Sequence, residues 1–229
     1  MTDKKYRLKV QKDGPYIIEG GIELIKEEIA VDDAGFSVGY REIKKYPSDE
    51  SVSLCRCGKT KTSPFCDDSH KNINWDGTET ASHESFEYRA QKYDGPELIL
   101  CDYDELCAYA RFCDVSDRVW GLVEKSNDPK SKKLCIQEAD LCPAGRLVVL
   151  DKKTGKSLEK KYKPQISLIE DPAQGVSGPI WLKGSIPVES AEGFEYEVRE
   201  KQTLCRCGES VNKPFCNGAH ASVDYKATD

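Results

Sequence analysis

The chain is poor in histidine and methionine, with three and one among 229 residues. Scarce histidine makes each one informative. His70 and His220 fall in matching contexts, while His83 stands alone in the polar run 80–85 and reads as a surface residue. No stretch approaches the roughly 18 apolar residues that span a bilayer, so no membrane partner is expected. The opening residues, MTDKKYRLKV, lack the apolar core of a secretory signal. Positive charge is not in excess either: 34 Lys and Arg stand against 40 Asp and Glu, for a net charge of −6. That balance argues against nucleic acid as a partner. No G-x-S-x-G, P-loop or G-x-G-x-x-G is found. Neighbouring acids such as Asp32-Asp33 and Asp67-Asp68 read as solvated. The chain is therefore expected not to be an enzyme.

Cysteine is abundant, with 11 residues, which fits a reducing cytoplasm better than an oxidising compartment that would cross-link them. Six of them lie in a stretch written twice: LCRCGKTKTSPFCDDSH at 54–70 and LCRCGESVNKPFCNGAH at 204–220. Each copy offers four metal-binding side chains at one spacing: Cys55, Cys57, Cys66 and His70, then Cys205, Cys207, Cys216 and His220. Thiolate and imidazole are ligands for iron–sulfur clusters, zinc or copper. Pro64 and Pro214 stiffen the loop between the cysteines. A turn of helix after the third cysteine would bring the histidine, four residues on, to the same face. Spacing alone leaves iron–sulfur and structural zinc open, since three cysteines and a histidine also suit tetrahedral zinc.

Both stretches resemble the CDGSH iron–sulfur domain, whose motif is C-x-C-x2-(S/T)-x3-P-x-C-D-G-(S/A/T)-H. Thr60 and Ser210 take the Ser/Thr position, and Pro64 and Pro214 the proline. The first copy departs at Asp68, where the motif has glycine, and the second at Asn217, where it has aspartate. Asp68 puts the tight turn of the first loop in question, because glycine alone tolerates every φ. The resemblance implies a [2Fe–2S] cluster in each loop, held by three cysteines and one histidine.

The repeat reaches past the ligands. Gly14, Pro15, Gly20 and Ile22 recur as Gly178, Pro179, Gly184 and Ile186, and an aromatic residue, Trp75 or Tyr225, follows each histidine by five. Short alternating runs such as 193–198 read as strand, while the charged piece 26–33 gives no assignment. The expected organisation is α+β: a first small β-rich module at 1–90, a helical and hairpin middle segment at 91–163, and a second module at 164–229. The two modules are expected to pair as an intramolecular pseudo-dimer, leaving monomer and homodimer both open.

In the middle segment, 97–100 reads as a strand. Asp104 is expected to cap a helix through Phe112, a short helix covers 117–124, and Ser131 caps a third through Ala139. Residues 146–150 and 158–162 read as a hairpin around 151–156, 166–170 as a strand and 175–179 as a loop. Cys107, Cys113 and the Cys142-Pro143-Ala144-Gly145 run resemble a divergent single-cluster ferredoxin-type domain, which implies a [4Fe–4S] cluster on Cys107, Cys113, Cys142 and Cys135. The histidine expected two positions after the first cysteine is here Tyr109. On one continuous helix Cys107 and Cys113 would point about 120° apart, and buried thiols packed as small hydrophobes are the competing reading. The function expected from all this is a carrier of electrons or clusters, or a redox sensor, working with a redox or cluster-acceptor protein. The alternative is a zinc-stabilised scaffold.

Overall fold

The computed structural model describes residues 6–47, 49–115 and 117–228. The first copy of the repeat contributes β1 (Arg7–Val10), β2 (Tyr16–Glu19), β3 (Glu23–Val31), β4 (Ser37–Lys45) and β5 (Ser51–Leu54). The middle contributes β6 (Gln91–Asp94), β7 (Leu98–Asp102) and β8 (Leu147–Asp151). The second copy contributes β9 (Gln165–Asp171), β10 (Val176–Lys183), β11 (Val188–Glu189) and β12 (Lys201–Leu204).

The described strands form three sheets, ordered β11-β1-β2-β5, β12-β10-β9-β3-β4 and β6-β7-β8. The first two share a plan in which three strands of one copy are joined by the other copy, which gives one strand (β11) to the first sheet and two (β3 and β4) to the second. In each, two antiparallel ladders join the copy's own strands, with Tyr16 opposite Leu54 and Ile180 opposite Leu204. The remaining neighbour comes from the other copy and runs parallel: β11 beside β1 (Leu8 opposite Val188) and β3 beside β9 (Leu24 opposite Ile166). Each copy thus lends a strand to the sheet of the other, which is an intramolecular pseudo-dimer. A single small β module buries little core. Interlocking merges two into one, where Leu8, Tyr16, Ile18 and Leu24 pack with Ile166, Leu168, Ile180 and Leu204.

The charged piece 26–33 lies mostly within β3, between β9 and β4. Its charges are matched across the ladder, with Lys183 on Glu27 at 2.5 Å, Lys26 on Glu170 at 3.8 Å, and Arg41 on Glu28. The run 193–198, expected as strand, makes only the bridge Glu189 to Glu195. Its aromatics serve packing instead: Phe194 and Tyr196 lie 5.3 Å apart, and Tyr196 reaches Phe215 at 5.1 Å.

The middle holds helices α1 (Phe86–Arg89), α2 (Arg118–Glu124) and α3 (Pro129–Leu141). The cap of α3 is Asp128 rather than Ser131: its carboxylate accepts from the Ser131 N–H at 2.8 Å, and Pro129 takes the first turn. The helix expected over 104–112 is absent. Two 3-10 turns, Asp104–Leu106 and Phe112–Asp114, flank irregular chain in which Tyr109 and Arg111 take φ 55° and 63°. Its apolar residues explain this, because Leu106, Ala108, Ala110 and Phe112 are buried in alternation, a period of two that a helix would scatter. The second arm of the expected hairpin reduces to one bridge, Leu150 to Ser157, and β8 pairs with β7 instead. The strand expected at 166–170 is β9, and the loop expected at 175–179 is largely the start of β10.

Buried Lys201 on β12 ties the middle to the second copy. Its ammonium donates to the Ala139 and Asp140 carbonyls at 3.0 and 3.1 Å, capping the end of α3. We expect Lys201→Met to cost about 1–3 kcal/mol by stranding those carbonyls. Urea denaturation of the loaded protein checks this, and an unchanged midpoint contradicts it.

Candidate metal centres

Each motif folds as a closed ribbon. In the first copy the Cys55 N–H donates to the Pro64 carbonyl at 2.9 Å and the Cys66 N–H to the Ser53 carbonyl at 2.9 Å. The second copy repeats this with Cys205 to Pro214 at 2.8 Å and Cys216 to Thr203 at 2.9 Å. The Ser/Thr position locks the bend, as Thr60 and Ser210 donate to the Phe65 and Phe215 carbonyls at 2.6 and 2.7 Å.

The donor atoms fall into two pairs per loop. Cys55 and Cys57 sulfurs are 3.6 Å apart, as are those of Cys205 and Cys207. The Cys66 sulfur lies 3.5 Å from His70 Nδ1, and the Cys216 sulfur 3.5 Å from His220 Nδ1. With metal–sulfur bonds near 2.3 Å and metal–nitrogen bonds near 2.0 Å, a tetrahedral ion holds two sulfurs about 3.8 Å apart and a sulfur and nitrogen about 3.5 Å apart. Each pair therefore fits one edge of its own tetrahedron. The pairs do not merge. Among the described residues the candidate trio within 4.8 Å is Cys66, Asp68 and His70, and it takes no donor from the C-x-C pair. Asp68 stands 3.8 Å from His70 Nε2, the ring nitrogen that does not face the Cys66 sulfur.

The histidine turns form as expected, as Ser69–Asn72 in the first copy and α4 (Ala219–Ser222) in the second. Asp68 keeps the tight turn by adopting φ 65°, where its counterpart Gly218 has φ 84°. Aspartate tolerates the left-handed region better than most side chains.

Electrostatics favour anionic sulfur at one cysteine of each loop, while burial raises the third cysteines, Cys66 and Cys216. Cys55 is lowered chiefly by a hydrogen bond from Cys57, and the Thr60 and Gly58 N–H groups add to this against burial. Cys205 is lowered in the same way by Cys207, Ser210 and Gly208. The partner thiols Cys57 and Cys207 are raised by the same pairing and by burial. His220 is lowered to about 4, first by burial and then by Arg206.

The arginine inside each C-x-C is a functional residue that sequence reasoning passed over, though its presence in both copies was a visible signal. Arg56, 1% exposed, donates to the Gly14, Gly77 and Gln11 carbonyls at 2.8, 2.7 and 3.0 Å. Arg206, 2% exposed, donates to the Gly178 and Ile169 carbonyls at 2.9 Å and meets Glu170 at 2.9 Å. The repeated glycines Gly14 and Gly178 accept from equivalent arginines. Arg206 Nη1 is buried without a protein partner.

The two loops meet back to back. A Cβ on Gly58 would lie 2.3 Å from the Cys207 carbonyl, and one on Gly208 would lie 2.5 Å from that of Cys57. Trp75 crosses to donate to the Gly208 carbonyl at 3.4 Å, while Tyr225 packs on Cys205 and Cys207.

The middle cysteines divide. Cys113 is pushed up to about 12 by burial, with Cys142 and Cys107 adding to the shift. Burial raises Cys142 too, again with a contribution from Cys107. Cys107 also acts on Cys216 of the second loop. Cys135 is fully buried in the apolar core of the middle, its thiol 3.9 Å from the Val119 carbonyl. Cys101 is buried on β7. Glu138, one turn before Cys142 on α3, is buried with both oxygens unpartnered and is pushed up to about 7 by burial. His83 is exposed, as expected, and stacks on Phe194 at 3.8 Å.

Two cysteine–histidine loops held back to back by interlocked β modules define a class of metal-binding chain with paired centres. Residues 13–71 and 177–221 match the family model described as the iron-binding zinc finger CDGSH type, and residues 93–152 match the divergent 4Fe-4S mono-cluster model. The chain is a tandem CDGSH-type iron–sulfur protein with a ferredoxin-like middle segment. No curated protein and no solved structure matches it.

Two outcomes follow. Gly58→Ala should cost about 2 kcal/mol or more through its positive φ and the collision with Cys207, and thermal melts should show both loops weakened together. The second concerns the cluster-free chain. Because His220 sits at about 4 against an ordinary 6.5, its neutral form favours the fold. That contribution, on the order of 3 kcal/mol, is complete above the ordinary value and lost as pH falls toward 4. Denaturant midpoints from pH 7 to 4 should fall more steeply for wild type than for His220→Gln.

Proposed function

We propose that each CDGSH loop holds one [2Fe–2S] cluster through three cysteines and one histidine, and that the chain is a cytoplasmic carrier of electrons or clusters rather than a catalyst. The observation that carries this is the pairing of donors at 3.6 and 3.5 Å, with no third motif donor closing on either pair. Two protein ligands per ion suit a two-iron unit that completes each tetrahedron with bridging sulfide. One tetrahedral zinc needs all four donors around a single point, which this arrangement does not supply.

A [2Fe–2S] cluster supplies a one-electron couple, and imidazole in place of thiolate makes it easier to reduce. The residues' part is to hold and balance it. The C-x-C pair and its N–H groups grip one ion, and the third cysteine and histidine grip the other. The buried guanidiniums of Arg56 and Arg206 offset the negative charge. The match of the middle segment to a 4Fe-4S model, with Cys107, Cys113 and Cys142 acting on one another, supports a third centre there. The proposed partner is a redox or cluster-acceptor protein. Among the described residues no helix is long and apolar enough to cross a membrane.

Iron, sulfide and zinc per chain, measured on anaerobically purified protein with its visible spectrum, test the proposal. About four irons and about four sulfides with visible bands support two [2Fe–2S] centres, and about eight irons add the middle [4Fe–4S] centre. Zinc without sulfide or colour overturns it.

A further inference from the structure

The two CDGSH loops differ in their surroundings. In the first, Cys66 is partly exposed and Thr62, Asp67 and Asp68 lie at the surface, while the His70 side chain itself is 8% exposed. At the equivalent places of the second, Cys216 is 2%, His220 4% and Asn212 8% exposed, while Asn217 and Gly218 are half-covered.

The cover is the irregular chain at 105–109, the stretch that does not form a helix. The Gly218 position faces it directly: a Cβ there would meet the Cys107 carbonyl at 3.0 Å and Tyr109 Cβ at 3.5 Å. Asn212 Nδ2 donates to the Glu105 carbonyl at 3.3 Å, and Leu106, Ala108 and Ala144 form one apolar cluster with Cys216. Arg111 fastens the end of this strap, donating to the Tyr109 carbonyl at 3.2 Å and pairing with buried Asp171 at 2.5 Å. At the first loop the Asp68 carboxylate contacts Lys71 of its own turn at 2.9 Å.

We propose that the sites divide labour: the first exchanges its cluster with an acceptor protein, and the second retains its cluster behind the strap. This rests on the [2Fe–2S] reading above. Neutral imidazole is the ligand most readily displaced by an incoming thiolate, so exposure on the histidine side governs exchange. At the first loop the residues around that side, Thr62, Asp67 and Asp68, are exposed, and no strap like 105–109 is seen there among the described residues. At the second, the strap must first come away, a local opening that lowers the reactive population. In the exchange, iron and sulfide move as one unit with no change in oxidation state. Three cysteine bonds and one histidine bond break as four bonds to an acceptor with free thiols form. Of the four protons released by those thiols, three are taken up by Cys55, Cys57 and Cys66, and the fourth goes to the freed His70 imidazole or to water.

The test mixes the full, doubly loaded chain anaerobically with excess apo-ferredoxin of the four-cysteine [2Fe–2S] type. Iron on the re-isolated ferredoxin and its visible circular dichroism are followed in time. We expect two phases of equal iron, differing in rate by about tenfold or more. His70→Cys, which puts a tighter-binding thiolate at the first loop, should slow the fast phase alone, and Arg111→Gln, which breaks the clamp on Asp171, should speed the slow phase alone. A single phase carrying all the iron, or a fast phase slowed by His220→Cys and untouched by His70→Cys, overturns the division of labour. Starting protein with zinc and no sulfide instead overturns the [2Fe–2S] reading beneath it.

Discussion

A buried guanidinium inside each C-x-C turn is the constraint on which the centres depend. Two thiols held 3.6 Å apart repel as they ionise, and a flexible loop would let them separate. Arg56 and Arg206 prevent this by reaching past the cysteines to carbonyls of the β scaffold, including those of Gly14 and Gly178. A buried charge without its hydrogen bonds is costly, so the arginine and the scaffold hold one another in place.

The interlocked strands extend that coupling across the molecule. Because β3 and β11 each complete the sheet of the other copy, neither module closes its core alone. The loops end up touching at Gly58 and Gly208, where any side chain would strike the opposite backbone. The middle segment then breaks the symmetry. It packs on the second loop through 105–109, and Lys201 ties the end of α3 to β12, while Thr62, Asp67 and Asp68 around the first loop stay exposed. Two sites with the same ligand spacing therefore acquire different surroundings.

Much of this was legible in the sequence because metal chemistry demands fixed residue types at fixed spacing. The two cysteine–histidine loops, the histidine turn, the repeat of Gly14 as Gly178 and the pseudo-dimer could all be read from it. What could not be read depended on partners distant along the chain. The charged piece 26–33 gave no assignment, and it pairs as a strand because Lys183 and Glu170, more than a hundred residues away, match its charges. The segment 104–112 invited a helix by its composition, but its burial alternates because it lies as a strap between two cores. Asp68 seemed to threaten the first turn and instead adopts the glycine conformation. The arginines were visible twice and still passed over, since an arginine between two cysteines carries no ligand signal. Only the geometry gives it a role.

The central claim is that each loop is a two-ion site built from two donor pairs. Anomalous diffraction from crystals of anaerobically purified protein, with data at the iron and zinc edges, tests it most directly. The account predicts two resolved iron peaks in each loop, one beside the C-x-C sulfurs and one between the third cysteine and histidine Nδ1. A single peak per loop, at the zinc edge and equidistant from all four side chains, would contradict it.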